Sequence, residues 1–217
     1  MKSKTLYTLL LFIAFSLCAI ALKAQGDRLF TADNELSSSM INHIYQDKEG
    51  LIWISTEDGL NCYDGAKFRV YREMVKDAVS SNFVSYTFED SHKRLFIGTL
   101  DGVLLHNKAT GTFKKIPFNL HTNPHMNAHV TCIIERQNGD ILVGTTSHGT
   151  FQVKAEGDSL YLKQDISLAP SLAINTLYED RDKRLWVATT DKGIYLVDGE
   201  NPYEEIFNPG NVQFSSN

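Results

Sequence analysis

The sequence is short of cysteine, of proline and of clustered positive charge. Three cysteines in 217 residues are too few for a small disulfide-stapled scaffold. Five prolines and 14 glycines exclude a collagen and leave no linker of biased composition. No helical apolar period appears beyond residue 24, which excludes a coiled coil. No run of lysine or arginine occurs, and the formal charge is −5. That argues against binding to nucleic acid or to an anionic membrane surface. What is present is ordinary: 42% apolar, 22% charged and 11% aromatic side chains. Such a chain is not a disordered tail and has room for one large domain or two small ones.

The first two dozen residues read as an export signal. Lys2 and Lys4 form a positive start, Leu6 to Leu22 is a nearly unbroken apolar run, and Leu22 and Ala24 stand at −3 and −1 of a cleavage site. The run of 17 residues is short for a spanning helix. A signal peptide over residues 1–24 is therefore expected, with an uncleaved anchor as the alternative. Leu17 before Cys18 does not suit lipidation, so Cys18 is read as filler in the apolar run. Export makes the expected location periplasmic and would permit a disulfide. Cys62 and Cys132, however, fall in different strands of non-neighbouring units, and two small buried hydrophobes are expected there instead.

The remainder is a repeat. Segments 41–64, 84–107, 130–154 and 174–198 align, with starts 43, 46 and 44 residues apart. One position reads Trp53, Phe96, Leu142, Trp186. Three residues later stand Thr56, Thr99, Thr145 and Thr189, and then Gly59, Gly102, Gly149 and Gly193. Each unit divides into four short runs of β-formers separated by turn residues. Four-stranded units of this length are blades of a β-propeller. The expected fold is all-β, with blades at about 41–72, 84–118, 130–165 and 174–208. A lone blade cannot bury both faces, so Trp53, Phe96, Leu142 and Trp186 are expected between neighbours. The small residues beside them, Ser55, Gly98, Gly144 and Ala188, would let facing sheets approach. The Gly after each Thr is expected at positive φ.

The stretch from Tyr45 to Gly65, with Gly50, Trp53, Thr56, Asp58 and Gly59 at its fixed points, strongly resembles the two-component regulator propeller repeat. Blade three departs most, with Arg136 where Asp47, Asp90 and Asp180 stand elsewhere. The resemblance spans residues 41 to about 208. It implies the periplasmic sensor region of a hybrid two-component histidine kinase, attached to the inner membrane in full-length relatives. Such relatives carry two propellers, a small β-domain, a membrane helix and kinase modules, and none of the later parts is in this sequence.

Residues 28–31 read as the outer strand of a blade that is absent, and the segment 214–217 resembles 79–82, which leads into blade two. An incomplete part of a larger, about seven-bladed ring is therefore expected; a closed four-bladed ring is the alternative in size. An unclosed arc would leave bare faces for missing blades or for another copy of the chain.

In propellers, ligands sit at one mouth of the channel, on the loops entering each inner strand and on the turns between strands two and three. Asp58, Asp101, His148, Asp191 and Lys192 are the candidate rim, able to hydrogen-bond a sugar or similar solute; the competing reading has the Asp residues holding their own turns. His121, His125 and His129, spaced by four, could bind zinc on a helix. Pro124 and the lack of acidic or Cys ligands nearby favour loop histidines instead, with His125 kept as a rim candidate. Asp47, Asp90 and Asp180 lie at the opposite end and are read as turn caps. No phosphate loop, nucleophile elbow or metalloprotease motif occurs, and no catalytic residue, metal or cofactor is expected. The reading is a non-catalytic sensor segment for a small-molecule or oligosaccharide ligand, glycan-derived by the resemblance. The alternatives are a propeller enzyme acting on polysaccharide, as lyase or glycosidase, and a non-functional truncated fragment.

Overall fold

The computed structural model describes residues 27–72, 81–118, 128–165, 172–198 and 201–207. Residues 31–217 form one compact unit; of the other, 1–30, only 27–30 are described. The expected signal peptide, with Cys18, and most of the His121–His129 loop lie outside the described residues.

Sixteen strands make four sheets. The first contains β1 (Ile41–Gln46), β2 (Ile52–Thr56), β3 (Gly59–Tyr63) and β4 (Phe68–Tyr71). The second contains β5 (Val84–Glu89), β6 (Leu95–Thr99), β7 (Gly102–Asn107) and β8 (Thr112–Ile116). The third contains β9 (Val130–Glu135), β10 (Ile141–Thr145), β11 (Thr150–Glu156) and β12 (Ser159–Gln164). The fourth contains β13 (Ile174–Glu179), β14 (Leu185–Thr189), β15 (Ile194–Asp198) and β16 (Asn201–Phe207). Each is an antiparallel meander in chain order, as short β-branched and aromatic runs joined by tight turns dictate. No helix occurs among the described residues, and none is long and apolar enough to cross a membrane.

The sheets stack face to face. Trp53, 1% exposed, lies with Val84, Leu95 and Leu104 of the second sheet. Phe96 packs with Val130, Ile133 and Ile141 of the third, and Leu142 with Ile174, Leu177 and Leu185 of the fourth. Burying each of these large side chains contributes about 1.5–3 kcal/mol. The small neighbours set the spacing. A Cβ on Gly98 would stand 2.7 Å from Val130 Cγ1, and one on Gly144 2.7 Å from Ile174 Cγ2. At the first joint Ser55 Oγ instead hydrogen-bonds Thr87 Oγ1 at 2.9 Å.

Three expectations need correction. Trp186 is half-buried, not wedged, because no sheet among the described residues covers its face. Residues 28–31, expected as the outer strand of a missing blade, form no strand here, and that blade is not among the described residues. The outer strand of the second unit stops at Ile116, after which Phe118 makes a parallel bridge to Leu162 of the third sheet and Pro117 O accepts from Leu162 N at 2.8 Å. Among the described residues the row of sheets does not close on itself, for Ile44 on the first sheet is 61% exposed and Tyr178 on the fourth 64%. Cys62 and Cys132 are buried free thiols, each pushed up to about 11 by burial.

Candidate functional site

The four turns between second and third strands are built alike. Thr56 Oγ1 donates to Gly59 O at 2.8 Å and accepts from Asp58 N at 3.2 Å. Thr99, Thr145 and Thr189 do the same with Gly102 O, Gly149 O and Gly193 O at 2.8–3.0 Å, accepting from Asp101 N, His148 N and Lys192 N. The recurrent Thr thus closes the turn by side-chain-to-backbone bonds. Gly59 and Gly102 adopt φ of 124° and 125°, a region costly for any side chain. At Gly59 a Cβ would also come within 2.7 Å of Tyr71 O.

Backbone bonds bring these turns to the loops entering the inner strands. Glu57 N donates to Met40 O, Thr146 N to His129 O and Thr190 N to Ala173 O. Gly59 N reaches Asn82 O, and Gly149 N reaches Leu172 O, each across to the next unit. Both loop sets therefore share one end of the stack.

At that rim Asp58 is committed. Its carboxylate takes Arg72 Nε and Asn82 Nδ2, both at 3.0 Å. It holds neighbouring loops, whereas its own turn is held by Thr56. Asp101 is half-buried, and its carboxylate has no hydrogen-bond partner among the described residues. His148 Nδ1 lies 2.7 Å from Ser147 Oγ. Asp191 and Lys192 are exposed, 3.9 Å apart. His125 lies outside the described residues. His129 is half-buried, edge-on to Phe83 at 5.3 Å, and burial lowers its pKa. The structure places these side chains on successive turns of one rim without joining them to one another. Among the described residues no group of three His, Cys, Asp or Glu could hold a metal ion.

Sequence reasoning missed Asn61. It is fully buried and receives Ser37 N at 2.9 Å while its Nδ2 donates to Ser37 Oγ at 2.7 Å. Arg72 adds a bond to Ser37 O, fixing the entry loop of the first unit. The available signal was an amide at a strand position filled elsewhere by Leu104, Phe151 and Tyr195.

At the other end, Asp47, Asp90 and Asp180 each accept two backbone amides of their own turn. Asp47 and Asp180 also take the indole N–H of Trp53 and Trp186 at 3.0 and 2.9 Å. Also unforeseen are Glu89, Glu135 and Glu179, which cross to the preceding unit and accept Lys48 N, Ser91 N and Gln137 N. Glu89 binds Lys108 Nζ too, at 2.6 Å.

Comparison with known proteins fits this architecture. The family model described as the two component regulator propeller matches residues 35–58 and 168–191. A histidine kinase P4 of Formosa agariphila is 44% identical over 72 residues, which are 31% of this chain and 5% of that protein. The extracellular domain of a Bacteroides thetaiotaomicron protein, described as a one component and as a hybrid two component system, superposes with a TM-score of 0.59 at 26% identity. That match covers 77% of this chain and 22% of the other. Virginiamycin B lyase of Staphylococcus aureus, at 17% identity and a TM-score of 0.56 over 80% of this chain and 56% of its own, shares the fold. The chain thus spans a small part of its sensor-kinase relatives. It carries two-component regulator propeller repeats on a partial propeller of the kind found in the extracellular domains of hybrid two-component systems.

Proposed function

We propose that this chain is the extracytoplasmic sensory segment of a two-component signalling protein and binds a glycan-derived solute at the turn-and-loop rim. The observation that carries the reading is that four Thr-closed turns and their entry loops build one rim, two of the four units matching the two component regulator propeller model. The rim is rich in hydrogen-bonding groups, with Asp101 and Lys192 presented on rigid turns, as recognition of a neutral polar solute requires. The histidine kinase relative and the extracellular neighbour support the signalling context. Periplasmic placement rests on that neighbour and on the apolar leader.

Calorimetric titration of the purified chain with a panel of oligosaccharides tests the reading. At least one is expected to bind, and Asp101→Asn and Lys192→Ala are each expected to weaken it about tenfold, near 1.4 kcal/mol, with unchanged melting temperature. Binding unaffected by either substitution, or no binding across the panel, would remove the rim from consideration. Release of new reducing or unsaturated ends from the same sugars would favour the polysaccharide-degrading alternative.

A further inference from the structure

Among the described residues, histidine stands in a strand only at His43 of β1 and His106 of β7. Both lie in the same internal joint, between the first and second sheets. His43 stacks on Tyr86 with ring centroids 4.0 Å apart, and its Nδ1 accepts the Thr87 N–H at 3.3 Å. His106 reaches back to the first sheet, 5.2 Å from Trp53 and 6.2 Å from Tyr71, with Phe113 of its own sheet 4.7 Å away. It is 8% exposed, and neither ring nitrogen has a hydrogen-bond partner among the described residues. The other two joints are packed with apolar side chains, Phe96 on Val130 and Ile133, and Leu142 on Ile174 and Leu177.

Both rings are built into the joint as neutral imidazoles. An acceptor at Nδ1 places the His43 proton on Nε2, and a second proton would set N–H against the Thr87 N–H. An imidazolium at His106 would have no acceptor in its aromatic surroundings. The charged groups around His106 are Lys108 beyond the end of its own strand, Arg69 of β4 and Asp47 at the end of β1. The two cations oppose a further positive charge, and the Asp47 carboxylate is already bound to Lys108 Nζ at 3.1 Å and Trp53 Nε1 at 3.0 Å. The titratable groups packed on His43 are Tyr45 and Tyr86. Burial lowers the pKa of both histidines, that of His106 to about 4.

We propose that this joint is an acid-operated catch: protonating His43 and His106 parts the first sheet from the second while the other two joints stay closed. Below the ordinary histidine pKa of about 6.5 the parted form takes up protons that the closed form resists, so acid favours opening. For His106 alone, a fall from about pH 7.5 to about pH 5 favours opening about 30-fold. The same joint carries part of the rim, where Asn82 of the second unit accepts Gly59 N and donates to Asp58. Release there uncouples the entry loop of the second unit from the turn of the first. The inference is independent of any ligand at the rim.

Amide hydrogen exchange of the purified chain, read by NMR and corrected for the intrinsic pH dependence of exchange, tests the catch. Gly59 N and Gly149 N make matched bonds to the next unit's entry loop, to Asn82 O across the first joint and to Leu172 O across the third. Thr87 N reports on His43 directly. Gly59 and Thr87 are expected to lose protection about 30-fold between about pH 7.5 and about pH 5, with Gly149 unchanged. His43→Asn retains an acceptor and His106→Phe retains an aromatic ring, and the double variant is expected to abolish that loss. The wild-type ring protons provide a reading that needs no variant, with both histidines expected to titrate below about pH 6.5. Unchanged protection at Gly59, equal loss at Gly59 and Gly149, a loss that survives the double substitution, or ordinary titration of both rings would each overturn the proposal.

Discussion

At Thr56 one hydroxyl satisfies two backbone groups of the same turn. Valine has the same shape and neither capability, so Thr56→Val is expected to cost about 1–2 kcal/mol, read by urea unfolding. His106 supplies a pH dependence. It is buried against Trp53, Tyr71 and Phe113, and neither ring nitrogen has a hydrogen-bond partner among the described residues. Burial, with a smaller contribution from Lys108, lowers its pKa to about 4. The unfolded chain holds this proton from an ordinary histidine pKa of about 6.5 downward, whereas the folded chain resists it until about 4. Stability attributable to His106 is therefore present above pH 6.5 and lost between 6.5 and 4. Chemical denaturation across that range should show His106→Phe flattening the slope. The Thr and Gly positions were legible in the sequence because they recur at one spacing. Asn61 was not, since it occurs once and its partner Ser37 lies 24 residues away.

Between elements, the glutamate crossings decide how sheets are held in register. Glu89 is buried with Lys108 and the Lys48 amide. Glu89→Ala would strip the half-buried Lys108 of one carboxylate and leave an amide unpaired, an expected loss of about 1–3 kcal/mol. Thermal melting against Glu89→Gln, which retains an acceptor for Lys48 N, separates the hydrogen bond from the charge. These glutamates escaped sequence reading because Gln46 breaks the series and because the adjacent Asp residues carry the recognisable turn pattern. The strands themselves were legible from alternating β-formers, but their outer limits were not. Whether residues 28–31 or 117–118 pair depends on which sheet lies alongside, and local sequence does not encode that.

Across the whole molecule, equivalent positions differ in what covers them. Phe96 is sealed between two sheets, while Trp186 lies on an uncovered face. Phe96→Ala is expected to destabilise by about 3–5 kcal/mol. Trp186→Ala should cost less, about 1–2 kcal/mol, because it removes the hydrogen bond to Asp180 but no packing between sheets. Urea titrations of the two variants separate the costs. The repeat period revealed the architecture, yet the position of Trp186 in the pattern could not reveal its burial, which belongs to the neighbouring sheet.

The glutamate bridges point one way along the chain, always from a later unit to an earlier one. That gives the stack a direction, like couplings with a hook at one end and an eye at the other. A unit removed or duplicated as a block, from one inner strand to the next, would leave every remaining coupling chemically matched, so the number of blades can change while the rule that joins them does not.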